Sequence, residues 1–332
     1  MTPHVVILGA TGFIGTAVTR ELARRPVRLT TVSRRPLPAP APAVADVRPL
    51  AADLAHADAV AEAVEGADAV LNLVAYNGEA GTWRVAHDDV AAERINTGVA
   101  RGIDAAFRAA KPGAGRPVVV VAGSVSQARP AAPPRLDGTE ADAPRGAYDT
   151  QKLESERILK AATRAGVLRG VALRLPTLFA RGEPTADLDR GVISAMVRRA
   201  IAGEPLTMWH DGTVRRDLLC VDDAARAMVA AVAHAGELAG RHWLLGTGRS
   251  RPLGEVFGAI ARTVSEYTGR PPVPVVSVPA PEHAQHCDFE SVEVDAGAFR
   301  SATGWRPEVS FESALRATVA SLVKNQTIMR RQ

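Results

Sequence analysis

One seven-residue stretch constrains this chain more than any other. Gly9-Ala-Thr-Gly12-Phe-Ile-Gly15 lies between a short apolar run, Val5-Val-Ile-Leu8, and a segment of helical character over 16–25. An apolar run of four is a buried-strand pattern. Glycines placed after a strand and at the opening of a helix allow a tight turn, a close approach to a pyrophosphate, and packing of helix on strand. The helix start adds free N–H groups and a favourable dipole for phosphates. The stretch therefore predicts a nucleotide-binding turn, against the plainer reading of an ordinary helix start.

The pattern beyond it supports a layered fold. Strand-like runs at 27–33, 69–74, 117–122 and 167–175 alternate with helix-like segments at 57–65, 87–110 and 148–165. Such alternation predicts an α/β fold with a Rossmann-type, doubly wound parallel sheet covered on both faces. Pro-rich stretches at 36–42 and 129–144 interrupt it, the second between two candidate site segments. After residue 175 the pattern becomes irregular, with helices expected near 191–202, 222–235, 253–266 and 311–323. This predicts two interleaved units: residues 1–176 plus about 218–247 as the dinucleotide-binding domain, and about 177–217 plus 248–332 as a smaller substrate domain.

The end of the second strand bears on the choice of nucleotide. A carboxylate there would accept the adenosine ribose hydroxyls of NAD and repel a 2′-phosphate. This chain has Ser33-Arg34-Arg35 instead. Two guanidiniums and a hydroxyl suit a phosphate dianion, which points to NADPH (NADP+). The competing reading makes both arginines surface residues leading into the Pro-rich loop. Asp53-Leu54 follows a third strand-like segment and could meet the adenine, or Asp53 could cap a helix.

Tyr148-Asp-Thr-Gln-Lys152 puts a phenol and an ammonium one helical turn apart. A nearby ammonium favours the phenolate, lowers the phenol's ordinary pKa of about 10, and makes it a usable general acid toward a carbonyl oxygen. Gly123-Ser124-Val-Ser126 ends the fourth apolar strand, at the ligand edge of such a sheet. A hydroxyl there can bind the same carbonyl oxygen; Ser124 is the first choice and Ser126 the alternative. Asn96 lies in the Ala-rich segment, either facing solvent or ordering a proton-relay water.

Bulk properties exclude several classes. The net charge is +4, and the arginines are dispersed rather than gathered into a nucleic-acid-binding tail. No apolar run reaches the roughly 18 residues of a membrane helix, and the start of the chain carries no signal-peptide pattern. Two cysteines, Cys220 and Cys287, cannot make a disulfide framework and fit a reducing, cytoplasmic setting. No metal site is expected.

Taken together, these residues resemble the extended short-chain dehydrogenase/reductases over nearly the whole chain. Leu173-Arg-Leu-Pro176-Thr177 resembles the segment in which a proline precedes the nicotinamide-facing loop, with Thr177 where asparagine is usual. Arg215-Arg216-Asp217 resembles the nucleotide-sugar members, in which the arginine matching Arg216 binds a diphosphate, and Gly304-Trp305-Arg-Pro307 matches a C-terminal Gly-Trp-x-Pro. Within the family the likeness is to NDP-hexose 4-ketoreductases, which implies reduction of a dTDP-4-keto-6-deoxyhexose by NADPH. Dehydratases carry an acidic pair where Val125 and Ser126 stand. A 4-epimerase with tightly held NAD and a non-catalytic NADP(H) sensor are the alternatives. The expected cofactor contacts are Gly9, Thr11, Gly12, Phe13, Ile14, Gly15, Ser33, Arg34, Arg35, Asp53, Leu54, Tyr148, Lys152 and Pro176. The expected substrate contacts are Ser124, Ser126, Tyr148, Arg215 and Arg216, and the expected catalytic residues are Ser124, Tyr148 and Lys152. The resemblance also implies a homodimer formed through the helices at 87–110 and 148–165.

Overall fold

The structure, a computed structural model, describes residues 2–76, 86, 88–110, 115–129, 135–182, 188–281, 284 and 288–329. Residue 87, residues 130–134 of the second Pro-rich stretch, and Cys287 lie outside the described residues.

The chain forms strands β1 (His4–Leu8), β2 (Arg28–Ser33), β3 (Asp46–Ala51), β4 (Ala69–Asn72), β5 (Val118–Ser124), β6 (Arg135–Leu136), β7 (Arg169–Leu175), β8 (Thr177–Phe179), β9 (Leu206–Met208), β10 (Arg215–Cys220), β11 (His242–Leu244) and β12 (Ser250–Pro252). Seven of them build one sheet in the order β11-β7-β5-β4-β1-β2-β3, with every neighbouring pair parallel. Successive side chains of a strand point to opposite faces. Val5, Ile7, Leu29, Leu71, Val120 and Val171 therefore pack on one side with α1 (Phe13–Ala23) and the helix Val221–Ala233. Val6, Leu8, Val32, Val70, Val119 and Val121 pack on the other with α2 (Ala57–Val64), α4 (Gly98–Ala109) and α5 (Ala147–Arg164). This is the Rossmann-type doubly wound sheet that the alternation predicts. The strand order reverses between β1 and β4, which opens a crevice at their carboxyl ends.

At Pro176 the chain passes from β7 directly into β8, which joins β10 and β12 in a second, three-stranded sheet. Phe179, Val197, Ile201, Leu218, Phe257, Ile260 and Leu315 form a separate apolar core around it. The two cores are not consecutive blocks of sequence. Phe299 and Trp305 return to the first one, where the Phe299 ring lies 6.4 Å from Trp243 and 5.7 Å from Trp305. The Trp305 indole donates to the Asp223 carbonyl at 3.0 Å, and the Asp223 carboxyl accepts the N–H groups of Glu308 and Val309 at 3.0 and 3.1 Å.

The single helix expected over 87–110 is two helices, α3 (Val90–Asn96) and α4, separated at Thr97 (φ −111°). The break is held from α5. Ser155 donates to the Asn96 carbonyl at 2.6 Å, and the Asn96 amide donates to Gln151 at 2.7 Å. The Asn96 side-chain carbonyl accepts the Tyr76 N–H at 2.8 Å. Asn96 is thus buried and bonded to protein partners, and it does not face solvent.

Candidate active site

The glycine turn has the geometry its sequence requires. Gly9 sits at φ +84°, in the left-handed region open to glycine, and a Cβ there would meet the backbone of Leu73 and Val74 at 3.2 Å. A Cβ at Gly15 would stand 2.1 Å from the Gly9 carbonyl oxygen, so only glycine lets α1 start this close to β1. Gly12 is the N-cap residue, without a side-chain cap, and no acidic residue occupies the first turn. Thr11, Gly12, Phe13 and Ile14 consequently present the positive end of α1 to a cleft of about 910 Å³.

The same cleft is lined by Ser124, Ser126 and Tyr148, by Pro176 and Thr177, and on the far wall by Arg216, Asp217 and Glu290. Ser124 is the last residue of β5, and its N–H donates to Gln127 Oε1 at 2.7 Å. The Gln127 amide donates to Glu156 at 2.9 Å. Arg174 clamps both Glu156 oxygens at 2.9 Å, and Lys160 reaches Glu156 at 2.6 Å. Arg174 and Glu156 are each only 1% exposed, so the floor under Ser124 is a buried ionic network. Burial alone would raise the Glu156 carboxyl, but hydrogen bonds from His242, Arg174 and Lys160 and the Arg174 charge hold it well below the ordinary carboxylate range.

Tyr148 and Lys152 share a face of α5, with the Lys152 ammonium 5.7 Å from the phenol ring centre. The expected lowering of the phenol is not what this environment produces. Burial, and then the Asp149 charge, push Tyr148 up to about 12, while burial brings Lys152 down to about 8. Desolvation outweighs attraction at this distance. The phenol therefore holds its proton.

Arg215 and Arg216 are adjacent on β10 and point to opposite faces. Arg216 lines the cleft, its guanidinium donating to the carbonyls of Asp288 (3.0 Å) and Glu290. Arg215 is not among the cleft residues, and its guanidinium holds the Ser250 hydroxyl at 3.1 Å and the Ser250 carbonyl at 2.6 Å. Ser33 ends β2 with its hydroxyl buried and, among the described residues, without a hydrogen-bond partner; Arg34 and Arg35 follow it, exposed. Asp53 is exposed and accepts the Ala55 N–H at 3.1 Å, whereas His56 is the N-cap of α2, so the capping alternative for Asp53 is not the one formed.

The structure adds site residues that the sequence reading missed. Asp149 lines the cleft beside Tyr148, and Arg145 pairs with Glu290 at 2.8 Å across two of its walls. The signal for Asp149 was its place next to Tyr148, but an acidic residue in a first helical turn is ordinarily read as a dipole complement.

The profile of the NAD dependent epimerase/dehydratase family matches residues 5–246. The chain belongs to that family. Its members are the extended short-chain dehydrogenase/reductases that the motifs resemble. Among curated relatives, this epimerase/dehydratase-family protein is 26% identical to dTDP-L-rhamnose 4-epimerase of Burkholderia thailandensis over 55% of its own length, a match that spans 47% of that enzyme. It is 28% identical to 2′-dehydrokanamycin reductase of Streptomyces kanamyceticus over 84% of its length and 70% of that enzyme's. It is 27% identical to dTDP-6-deoxy-L-talose 4-dehydrogenase (NAD(P)(+)) of Kitasatospora kifunensis over 94% of its length and 93% of that enzyme's. Among solved structures, MoeE5 in complex with UDP-glucose and NAD shares its fold at a TM-score of 0.78 and 24% identity, covering 98% of this chain and 99% of that one. No helix among the described residues of this family member is long and apolar enough to cross a membrane.

Proposed function

We propose that the protein reduces the C4 ketone of a nucleotide-activated, dTDP-linked 4-keto-6-deoxyhexose with NADPH. The observation that supports this most is the convergence of Ser124, Tyr148 and Arg216 on one cleft that also meets the N-terminus of α1. Two relatives that match over 84% and 94% of the chain are named as a reductase and a 4-dehydrogenase. The nicotinamide cofactor, when bound, supplies the hydride. The glycine turn, with Thr11, Phe13 and Ile14, would hold its pyrophosphate, and Ser33, Arg34 and Arg35 its 2′-phosphate. Asp53 and Leu54 would border the adenine. Lys152 would hold the nicotinamide ribose, with Pro176 shaping the pocket beside it. Ser124 orients the ketone oxygen, Tyr148 delivers its proton to that oxygen, and Arg216 binds the sugar nucleotide's diphosphate. In this reading residues 1–176 and about 218–247 serve the dinucleotide, and about 177–217 and 248–332 the sugar, with the 296–305 segment packed into the first core. NADPH oxidation on addition of a 4-keto-6-deoxy sugar nucleotide tests it. A 4-epimerase is the second reading, supported by the dTDP-L-rhamnose 4-epimerase match. A dinucleotide retained through purification would favour it.

Two outcomes follow for binding. Hydrogen bonds to charged groups are worth about 1.5–3 kcal/mol. Replacing both Arg34 and Arg35 with alanine should therefore weaken NADPH about tenfold or more and leave NADH affinity unchanged. Equal affinities for the two cofactors in the parent would sink the 2′-phosphate assignment. Arg216→Ala should raise KM for the sugar nucleotide by about tenfold or more without altering NADPH affinity. Calorimetric titration with the free nucleoside diphosphate provides the check, and unchanged affinity there would remove Arg216 from the diphosphate site.

A further inference from the structure

One carboxyl at this site has no part in the scheme above. Asp149 is buried in the first turn of α5 and lines the cleft. The Ser126 hydroxyl lies 2.5 Å from Asp149 Oδ1, and Ser126 Oγ lies 2.6 Å from Ser124 Oγ. The Ser126 N–H also reaches Ser124 Oγ at 3.3 Å, which fixes the two hydroxyls against each other. The three groups form one continuous line from the carboxyl to the hydroxyl at the end of β5.

We propose that Asp149 is a positioning residue that sets the polarity of the Ser124 hydroxyl, so that it donates to a ketone or accepts from an alcohol. The proposal rests on Ser124 being the group that meets the substrate oxygen. A serine hydroxyl carries one hydrogen, and an ionised carboxyl only accepts. With Asp149 ionised, Ser126 gives its hydrogen to Asp149, and Ser124 must give its own to Ser126. Only lone pairs of Ser124 then face the cleft, which suits an alcohol. With Asp149 protonated, the carboxyl donates to Ser126, Ser126 donates to Ser124, and the Ser124 hydrogen is free for a ketone oxygen. No bond to carbon changes, and the only proton gained or lost overall is the one Asp149 exchanges with water.

The surroundings favour the protonated form more than an exposed aspartate would experience. Burial raises the carboxyl, and the hydrogen bonds from Ser126, Arg145 and Gly146 only partly offset it. The charged and titratable groups that share the cleft with it are Tyr148 on its own helix, Arg129 and Arg145 on the segment before it, Asp189 and Arg190, and Arg216, Asp217, Asp288 and Glu290, with Lys152 behind the Tyr148 ring. When ionised, Asp149 acts on its neighbour in turn, since its charge helps to keep the Tyr148 phenol protonated.

Infrared titration of the full chain tests the line of hydroxyls without any substrate. The protonated-carboxyl band that Asp149→Asn removes should titrate above the ordinary aspartate value of about 3.9. Ser126→Ala removes a hydrogen bond that lowers this carboxyl, so the midpoint should move further up. A band that titrates at the ordinary value, or ignores Ser126→Ala, overturns the proposal whatever the substrate proves to be. In turnover, kcat/KM for ketone reduction should fall as Asp149 loses its proton. Asp149→Asn, whose amide can donate to Ser126 at every pH, should abolish that limb, and so should Ser126→Ala. A limb that persists in both variants overturns the polarity switch while leaving the reductase reading intact. A parent that oxidises no NADPH with 4-keto sugar nucleotides fails that reading instead, and the infrared midpoints still decide the coupling.

Discussion

In the reaction proposed above, Tyr148→Phe is expected to slow ketone reduction by about 10²–10⁴-fold, equivalent to roughly 3–5 kcal/mol of transition-state stabilisation. Phenylalanine keeps the ring and its packing on α5 and removes only the proton donor. With the phenol pushed up to about 12 in the parent, Tyr148 carries its proton across the working range, and no loss of activity from phenol ionisation should appear near neutral pH. NADPH affinity should barely change in this variant. Lys152→Ala should separate from it, because the ribose contact and the cation that steadies the newly formed tyrosinate are lost together, and both affinity and rate should fall. Single-turnover reduction after NADPH titration makes the comparison. A Tyr148→Phe rate within a few-fold of the parent would mean that the proton comes from another group.

The largest expected loss of stability lies beneath the site, at Arg174. Removing one member of a buried ion pair leaves the other charge uncompensated and costs about 3–5 kcal/mol, a large share of the roughly 5–15 kcal/mol that holds an ordinary domain. Arg174→Ala strands Glu156 in this way, although Lys160 and His242 remain in contact, so the low end of that range is expected. Arg174→Met combined with Glu156→Gln should lose less than Arg174→Ala alone. The depressed Glu156 carboxyl also sets a direction with pH. Its contribution is complete above the unfolded-state value of about 4.3 and is lost as pH falls through the depressed native value, because the unfolded chain takes up the proton first. Glu156→Gln should flatten that part of the acid-unfolding curve. Urea unfolding at neutral pH measures the first effect, and a loss below about 1 kcal/mol would show that the pair behaves like an exposed one.

The layers of this fold were legible wherever one physical pattern dominated. Val5-Val-Ile-Leu8 and the 118–122 part of β5 are buried on both faces and so are apolar at every position, and the glycines between β1 and α1 leave little choice of backbone. What failed depended on neighbours distant in sequence. The break at Thr97 is stabilised by Gln151 and Ser155, more than fifty residues away, and Gly98 beside it is the one weak local cue. Arg215 and Arg216 are alike in composition, and only the β10 register separates a cleft residue from one that holds Ser250. The Tyr148–Lys152 spacing was readable, but the sign of the phenol's shift was not, since it is decided by burial and by an adjacent carboxyl. Asp149 itself was passed over because its partner, Ser126, lies on another element.

The aromatic contact among Trp243, Phe299 and Trp305 also bears on the order in which the chain can mature. The strand carrying Trp243 completes the seven-stranded sheet by residue 244, yet the rings that cover it arrive more than fifty residues later. During synthesis, domains generally fold as units from the N-terminal end. Here the first apolar core remains uncovered at that edge until residues 296–305 have been made. A nascent chain halted between 245 and 296 should hold a finished sheet whose Trp243 ring lacks the cover of Phe299 and keeps only its earlier partners, Leu238 and Arg241.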